Sequence, residues 1–246
     1  MTAFFKKSEI GFALAWIGIY CVGMSVFDNL SEAIGLENSL SAVFALAASL
    51  FLFLWIRKSK LTEYFGLCRP SAPAKAFLYF IPLALISVRN IWSGVAVNYT
   101  AIPLLCFIIK MLCVGFLEEI IFRGFLFRAM SQNNVKSAII VSSVTFGIGH
   151  IINLLNGSGM SPADNVFQIV LAVFIGFLYV IIFYRGGSLI PCILSHGIFN
   201  SLSAFADGGA PETVELLCRI LLLALVAAYS LILLKTLKPK TETGGG

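Results

Sequence analysis

Long apolar runs separated by short polar segments recur along the whole chain. Each run is about 20 residues long, the length that an α-helix needs to cross the hydrocarbon core of a bilayer. Several prolines lie near the starts of these runs, where a helix tolerates them. The pattern predicts eight transmembrane helices, at residues 10–28, 39–56, 75–93, 101–122, 137–155, 165–184, 188–205 and 212–234. The fourth can continue to about Met130, so that part of it would tilt or project from the membrane.

The composition is typical of a protein that is covered largely by lipid. Of the 246 residues, 59% are hydrophobic and only 12% are charged, and the mean hydropathy is +0.95. A soluble domain has about twice that charged fraction. Because almost every segment is needed to span the bilayer, little chain is left for a second domain. We therefore predict an all-α polytopic membrane protein that forms one domain over residues 1–246.

The loops carry basic residues at one end of the predicted helices and acidic residues at the other. The basic residues are Lys6, Lys7, Arg57, Lys58, Lys60, Arg69, Arg123, Arg128, Lys136, Arg185, Lys235, Lys238 and Lys240. The acidic residues are Asp28, Glu32, Glu37, Asp164, Asp207, Glu212 and Glu215. Since lysine and arginine are retained on the cytoplasmic side, both termini are expected in the cytoplasm. The net charge of +5 then follows from membrane topology, and no nucleic-acid partner is expected.

Three charged residues stand within the apolar run GFLEEIIFRGFLF, residues 115–127. Glu119 and Arg123 are four positions apart, so their side chains can meet on one face of a helix. Glu118 is rotated by about 100° from its neighbour and points elsewhere. The pair alone would equally suit an ion pair that ends a span. Glu118 would then be a carboxylate without an ion-pair partner deep in the membrane. Such a group is costly there and usually faces a bundle interior or a hydrated cavity.

The chain has two histidines, and both lie in apolar segments. His150 lies about 20 Å of helical rise into the fifth predicted helix. His196 lies within the seventh, and Asn200 is one turn farther along the same face. A single buried histidine is more often a satisfied core residue than a catalyst. The similar depth of these residues and Glu118 on three predicted helices favours a common site.

Together these groups provide the chemistry for peptide hydrolysis. A carboxylate with a neutral imidazole can hold a water molecule and take its proton. A second imidazole and an amide can donate hydrogen bonds to the developing oxyanion. Histidine and glutamate are also zinc ligands, so Glu118, His150 and His196 are the expected ligands if a metal is used. However, the chain has no HExxH motif, and its six cysteines are scattered without a CxxC pair.

Three short motifs resemble those of a known family. The segments EEIIFR, FGIGH and HGIFN fit the patterns EExxxR, FxxxH and HxxxN, in that order along the chain. Through them the chain resembles the CAAX protease and bacteriocin-processing family of intramembrane proteases, also called the Abi family. Its eukaryotic relatives are the type II CAAX prenyl endopeptidases. The motif region covers about residues 100–205, with no departure at the six motif positions.

The resemblance implies a fold and a set of roles. The fold would be a bundle of about eight transmembrane helices with a conical intramembrane active-site cavity open to the cytoplasmic side. Glu118 would activate water with the help of His150, and the pair of Glu119 and Arg123 would orient the site. This interpretation requires no metal or other cofactor, with zinc as the alternative.

The last motif residues, His196 and Asn200, would form the oxyanion hole. The expected function is then an endopeptidase that acts on membrane-associated substrates, either prenylated CAAX proteins or precursors of bacteriocins and signalling peptides. The short loops resemble bacterial members, which favours a bacterial plasma membrane. One alternative is a non-catalytic scaffold or immunity protein of the same fold. Another is a proton-coupled transporter, although the chain shows no internal repeat.

Overall fold

The structure is a computed structural model, and it describes residues 1–154 and 161–238. In these residues the regular secondary structure is helical, apart from one isolated β-bridge between Val95 and Ala206, which confirms the all-α prediction. The α-helices are α1 Thr2–Lys7, α2 Glu9–Ala33, α3 Ser39–Lys58, α4 Ile81–Ser87, α5 Ala101–Glu119, α6 Arg128–Ser131, α7 Val135–Gly149, α8 Pro162–Gly186, α9 Ile190–Leu202 and α10 Glu212–Thr236. Residue 155, the predicted end of the fifth span, and Lys240 lie outside the described residues.

Five helices in the described part of the chain are long and apolar enough to cross a membrane. They are α2, α3, α7 with its continuation to Ile152, α8 and α10. Two shorter apolar segments, Ala74–Ser87 and Ile190–Phe205, lie at the places of the third and seventh predicted spans. These lengths support a multi-pass membrane protein, and the count of eight spans stays a prediction.

The third predicted span, residues 75–93, is not a continuous helix. A 3₁₀ segment covers Ala74–Phe80, its last three residues have positive φ, and α4 is only seven residues long. Pro82 lies in the first turn of α4. Its ring lacks a backbone N–H and would clash with the carbonyl four residues earlier in a continuous helix. The prediction of one helix over this stretch is therefore wrong, because the proline divides it.

The helix that carries the three charged residues is longer than a bilayer crossing requires. Helix α5 continues without a break into a π-helical segment, Ile120–Phe127, and then into α6, which ends at Ser131. The predicted continuation to about Met130 is confirmed. A π-helical turn inside an α-helix frequently occurs at a functional site. Here it begins directly after the two adjacent glutamates.

The long helical segments alternate in direction along the chain, with α5 and α6 forming one segment, so the connecting segments lie on two faces of the bundle. On one face Glu9, Tyr64 and Gln132 are joined by hydrogen bonds of 2.8–2.9 Å. On the other face the Ala96 amide donates to the Phe205 carbonyl. We call the first the basic face; it contains residues 1–8, 59–73, 132–134, 187–189 and 237–238. We call the second the acidic face; it contains residues 34–38, 88–100 and 203–211.

Helices α5 and α9 approach each other closely at two glycines. A Cβ atom at Gly115 would lie 2.5 Å from the backbone nitrogen of Gly197 and 2.7 Å from its Cα. Backbone atoms cannot rotate aside as the end of a side chain can, so only glycine fits at this crossing. Small residues are the usual means by which membrane helices come this close. The close crossing brings the glutamates of α5 next to His196 on α9.

The variant Gly115→Ala should destabilise the protein by about 1–3 kcal/mol, because the added methyl group forces the two backbones apart. Gly18 on α2 provides a matched control, since a Cβ there meets no atom within 4 Å. Gly18→Ala should be neutral or should stabilise its helix by about 0.5–1 kcal/mol. Unfolding of both variants by denaturant in the same detergent measures the difference. Equal stability would contradict the close crossing.

Candidate active site

Glu118 lies at one end of a cavity of about 420 Å³ inside the helix bundle. Its Oε1 atom accepts a hydrogen bond of 2.5 Å from the Tyr20 hydroxyl. Its Oε2 atom lies 3.4 Å from Nε2 of His196, and the side chain is only 12% exposed. The carboxylate is therefore held from two sides while it still borders the cavity. Such a position is suited to a group that must exchange a proton with a bound molecule.

The predicted pair of Glu119 and Arg123 is formed. Nη1 of the arginine donates to Oε1 of the glutamate at 3.0 Å, and both side chains are fully buried. The guanidinium also lies 4.1 Å from the ring centroid of Phe146. At Gly176 a Cβ atom would lie 3.1 Å from Nη2, so the absence of a side chain leaves room for the arginine. The charges are thus fixed in place behind the cavity.

His196 lies between the two glutamates. Its Nδ1 atom is 2.9 Å from Oε1 of Glu119, while Nε2 faces Glu118. A carboxylate accepts hydrogen bonds only, so this contact places a proton on Nδ1. Nε2 is then the ring nitrogen left to exchange a proton with Glu118 or with a bound molecule. The buried pair behind the histidine therefore sets the orientation of its ring.

His150 and Asn200 line the same cavity as Glu118. Both also line a smaller neighbouring cavity of about 70 Å³ together with His196. The ring of Phe146 meets both imidazoles edge-on, at centroid distances of 5.5 and 5.7 Å. The structure therefore brings the six predicted site residues together from three separate helical segments. Their roles stay predictions.

Tyr20 contacts the site, although no sequence motif pointed to it. It is 98 positions from Glu118 and lies on α2, which carries none of the three motifs. A tyrosine in an apolar helix is unremarkable in a membrane protein, where aromatic residues are common. Only the packing of α2 against α5 reveals the contact. Its hydroxyl is the closest hydrogen-bond donor to the Glu118 carboxylate among the described residues.

The variant Tyr20→Phe should lower the rate of substrate cleavage by about 10- to 100-fold, because a hydrogen bond to a charged group is worth roughly 1.5–3 kcal/mol. The ring remains, so the fold should be kept. Tyr79→Phe is the matched control, since that side chain is 69% exposed and lies away from the cavity. Cleavage rates of the two variants in the same liposomes measure the effect. A Tyr20→Phe protein as active as the control would exclude a role for this hydroxyl.

The geometry does not support the metal site that the sequence left open. Among the residues that the structure describes, no group of three His, Cys, Asp or Glu side chains is arranged to hold a metal ion. Both ring nitrogens of His196 already face carboxylates, one of them at hydrogen-bond distance. The set of Glu118, His150 and His196 is therefore not among such groups, and the zinc alternative stays a prediction.

The cavity extends from Glu118 towards the acidic face. Its outer part is lined by Asp28, Asn90 and Ser203, which lie at or near the ends of their helices on that face. The side chain of Asp28 is 40% exposed, more than three times as much as that of Glu118. Two predictions, cytoplasmic termini and a cavity open to the cytoplasm, therefore conflict. The N-terminus and the last described residue, Lys238, lie on the basic face, and the cavity opens on the opposite one.

Comparison with known proteins connects this site to one family. Residues 100–202 match the family model described as type II CAAX prenyl endopeptidase Rce1-like. The matched segment contains all six predicted site residues, and the family resemblance predicted from the motifs is confirmed. The family is one of proteases, which supports a hydrolase of the endopeptidase kind. Comparison with curated proteins and comparison with solved structures give no match.

Proposed function

We propose that the protein is an intramembrane endopeptidase in which Glu118 activates a water molecule to hydrolyse a peptide bond. The observation that carries this proposal is the placement of Glu118 in one cavity with His150 and Asn200, with Tyr20 holding one carboxylate oxygen. The substrate is a membrane-associated protein or peptide precursor, of the prenylated CAAX type or of the bacteriocin and signalling-peptide type. The family match over the motif region supports the same reaction class.

The proposed reaction begins with a water molecule between Glu118 and His150. The glutamate takes a proton from the water while the water oxygen forms a bond to the carbonyl carbon of the substrate. Asn200 donates a hydrogen bond to the oxygen of that carbonyl as it becomes negatively charged, and His196 donates a second one from Nε2 when both of its ring nitrogens carry a proton. Collapse of the tetrahedral intermediate breaks the carbon–nitrogen bond. Glu118 then returns its proton to the leaving amine, so the carboxylate is regenerated.

Glu119 and Arg123 act as positioning residues in this proposal. Neither lines the cavity, but the glutamate bonds Nδ1 of His196 at 2.9 Å. The arginine fixes the glutamate in turn. Because the pair is fully buried, it has one arrangement, and the imidazole is directed at the reacting carbonyl without reorganisation during the reaction.

The proposal is tested with purified protein in liposomes and a panel of prenylated CAAX peptides, bacteriocin-type precursors and signalling-peptide precursors. We expect cleavage at one bond in one of these classes, detected by mass spectrometry, and unchanged rates after treatment with a metal chelator. Loss of cleavage on chelation, restored by zinc, would contradict the mechanism. No cleavage of any peptide by the folded protein would favour the non-catalytic scaffold.

A further inference from the structure

Helices α2 and α5 define the depth of the cavity. They run antiparallel, and two contacts fix their register: Tyr20 with Glu118, and Asp28 with Lys110. On α2, Asp28 lies eight positions nearer the acidic face than Tyr20. On α5, Lys110 lies eight positions nearer that face than Glu118. At 1.5 Å per residue the Asp28–Lys110 pair therefore lies about 12 Å above Glu118. All four side chains line the cavity, so the cavity continues over this distance towards the acidic face.

An aromatic layer closes the bundle on the opposite side of Glu118. Phe125 lies seven positions beyond Glu118, towards the basic face. Its ring centroid is 5.0 Å from those of both Phe12 and Phe65, and all three side chains are at most 1% exposed. Trp55 packs against the same group. A peptide therefore has no open path to Glu118 from the basic face through the part of the bundle that the structure describes.

The charges identify which face lies in the cytoplasm. The basic face and the helix ends next to it carry most of the described lysine and arginine residues, and short loops rich in these residues stay in the cytoplasm. Within residues 1–154 and 161–238, three basic side chains lie near the acidic face, and each is paired with a carboxylate. These pairs are Arg89–Glu215, Lys110–Asp28 and Arg219–Asp164. The acidic face is therefore the one expected outside the cytoplasm.

We propose that the active-site cavity opens to the extracytoplasmic side of the membrane, and that its substrate is an exported peptide chain still associated with the membrane. The substrate part rests on the proposed protease function, whereas the direction of opening rests on geometry and charge alone. Of the substrate classes above, this selects exported precursor peptides over CAAX tails in the cytoplasm. The walls between Glu118 and the mouth include Met24, Met111 and Val114, which suit apolar side chains beside the cleaved bond.

Cysteine labelling tests the direction of opening without any need for catalysis. Ser203→Cys marks the cavity mouth, and Glu37→Cys marks a second exposed position on the acidic face. Lys58→Cys and Lys136→Cys mark exposed helix ends next to the basic face. The unsubstituted protein measures the background, since its six cysteines are buried or partly buried. We expect a membrane-impermeant maleimide to label the first two variants in intact cells. The other two should be labelled only after permeabilisation, and the reverse pattern would overturn the proposal.

The substrate part is tested in sealed liposomes whose protein orientation has been measured by the same labelling. An exported-type precursor peptide added outside should be cleaved in proportion to the fraction of molecules with Glu37→Cys outside. Cleavage in proportion to the fraction of molecules with the acidic face inside would overturn this inference, while the proposed protease function would still hold. No cleavage in either orientation would contradict the protease function and the substrate assignment together, while the labelling result would still decide the direction of opening.

Discussion

Glu118→Gln should lower the rate of peptide cleavage by about 10²–10⁴-fold while the protein stays folded, because general-base catalysis contributes about that factor. The amide has nearly the same shape and can still accept a hydrogen bond from Tyr20, so the cavity should keep its form. It cannot take a proton from water at neutral pH. Substrate binding should therefore change little, and the loss should appear in kcat. Parallel measurements of peptide affinity and of cleavage rate distinguish an effect on substrate binding from an effect on kcat.

The matched control for this substitution is Glu32→Gln. It makes the same chemical change at an exposed glutamate near the end of α2, away from the cavity. We expect the control to cleave at the wild-type rate. A Glu118→Gln protein with an unchanged kcat would show that another group activates the water. A protein that loses thermal stability would show that this carboxylate holds the bundle together instead.

Arg123→Met should destabilise the fold by about 3–5 kcal/mol, the usual cost of removing one partner from a buried ion pair. The substitution leaves the fully buried Glu119 carboxylate without its guanidinium partner. Cleavage should also be lost, because the carboxylate that orients His196 is no longer fixed. Unfolding by denaturant in detergent measures the stability, and a variant as stable as the wild type would contradict the role of the pair.

The double variant with Glu119→Leu and Arg123→Met separates the structural role of the pair from its role in the site. Replacing both partners of a buried ion pair by apolar residues is often neutral or stabilising. The double variant should therefore regain most of the lost stability. It should remain inactive, because Nδ1 of His196 has lost its acceptor. Recovery of both stability and cleavage would show that the pair does not position the histidine.

Local spacing predicted the parts of the site that depend on a single helix. The i, i+4 arrangement of Glu119 and Arg123 follows from 3.6 residues per turn, and the structure shows the contact at 3.0 Å. The depth of Glu118, His150 and His196 along apolar runs likewise predicted a shared site. Depth is a property that the rise per residue fixes, so it can be estimated without tertiary structure.

Contacts between distant segments were not predictable in this way. Tyr20 meets Glu118 because α2 and α5 pack in one register, and no spacing rule relates positions 98 residues apart. The break at Pro82 was a local signal, but the apolar length of residues 75–93 concealed it. The direction in which the cavity opens depends on which helix ends diverge. Hydropathy does not encode that property.

The most direct test of the central claim is to identify the products that wild-type protein and Glu118→Gln form from one substrate in ¹⁸O-labelled water. The wild-type protein should yield two fragments, and the new carboxyl terminus should carry an oxygen from the labelled water. The Glu118→Gln protein should yield neither fragment on the same timescale. The same labelled products at the same rate from both proteins would contradict the assignment of Glu118 as the group that activates water.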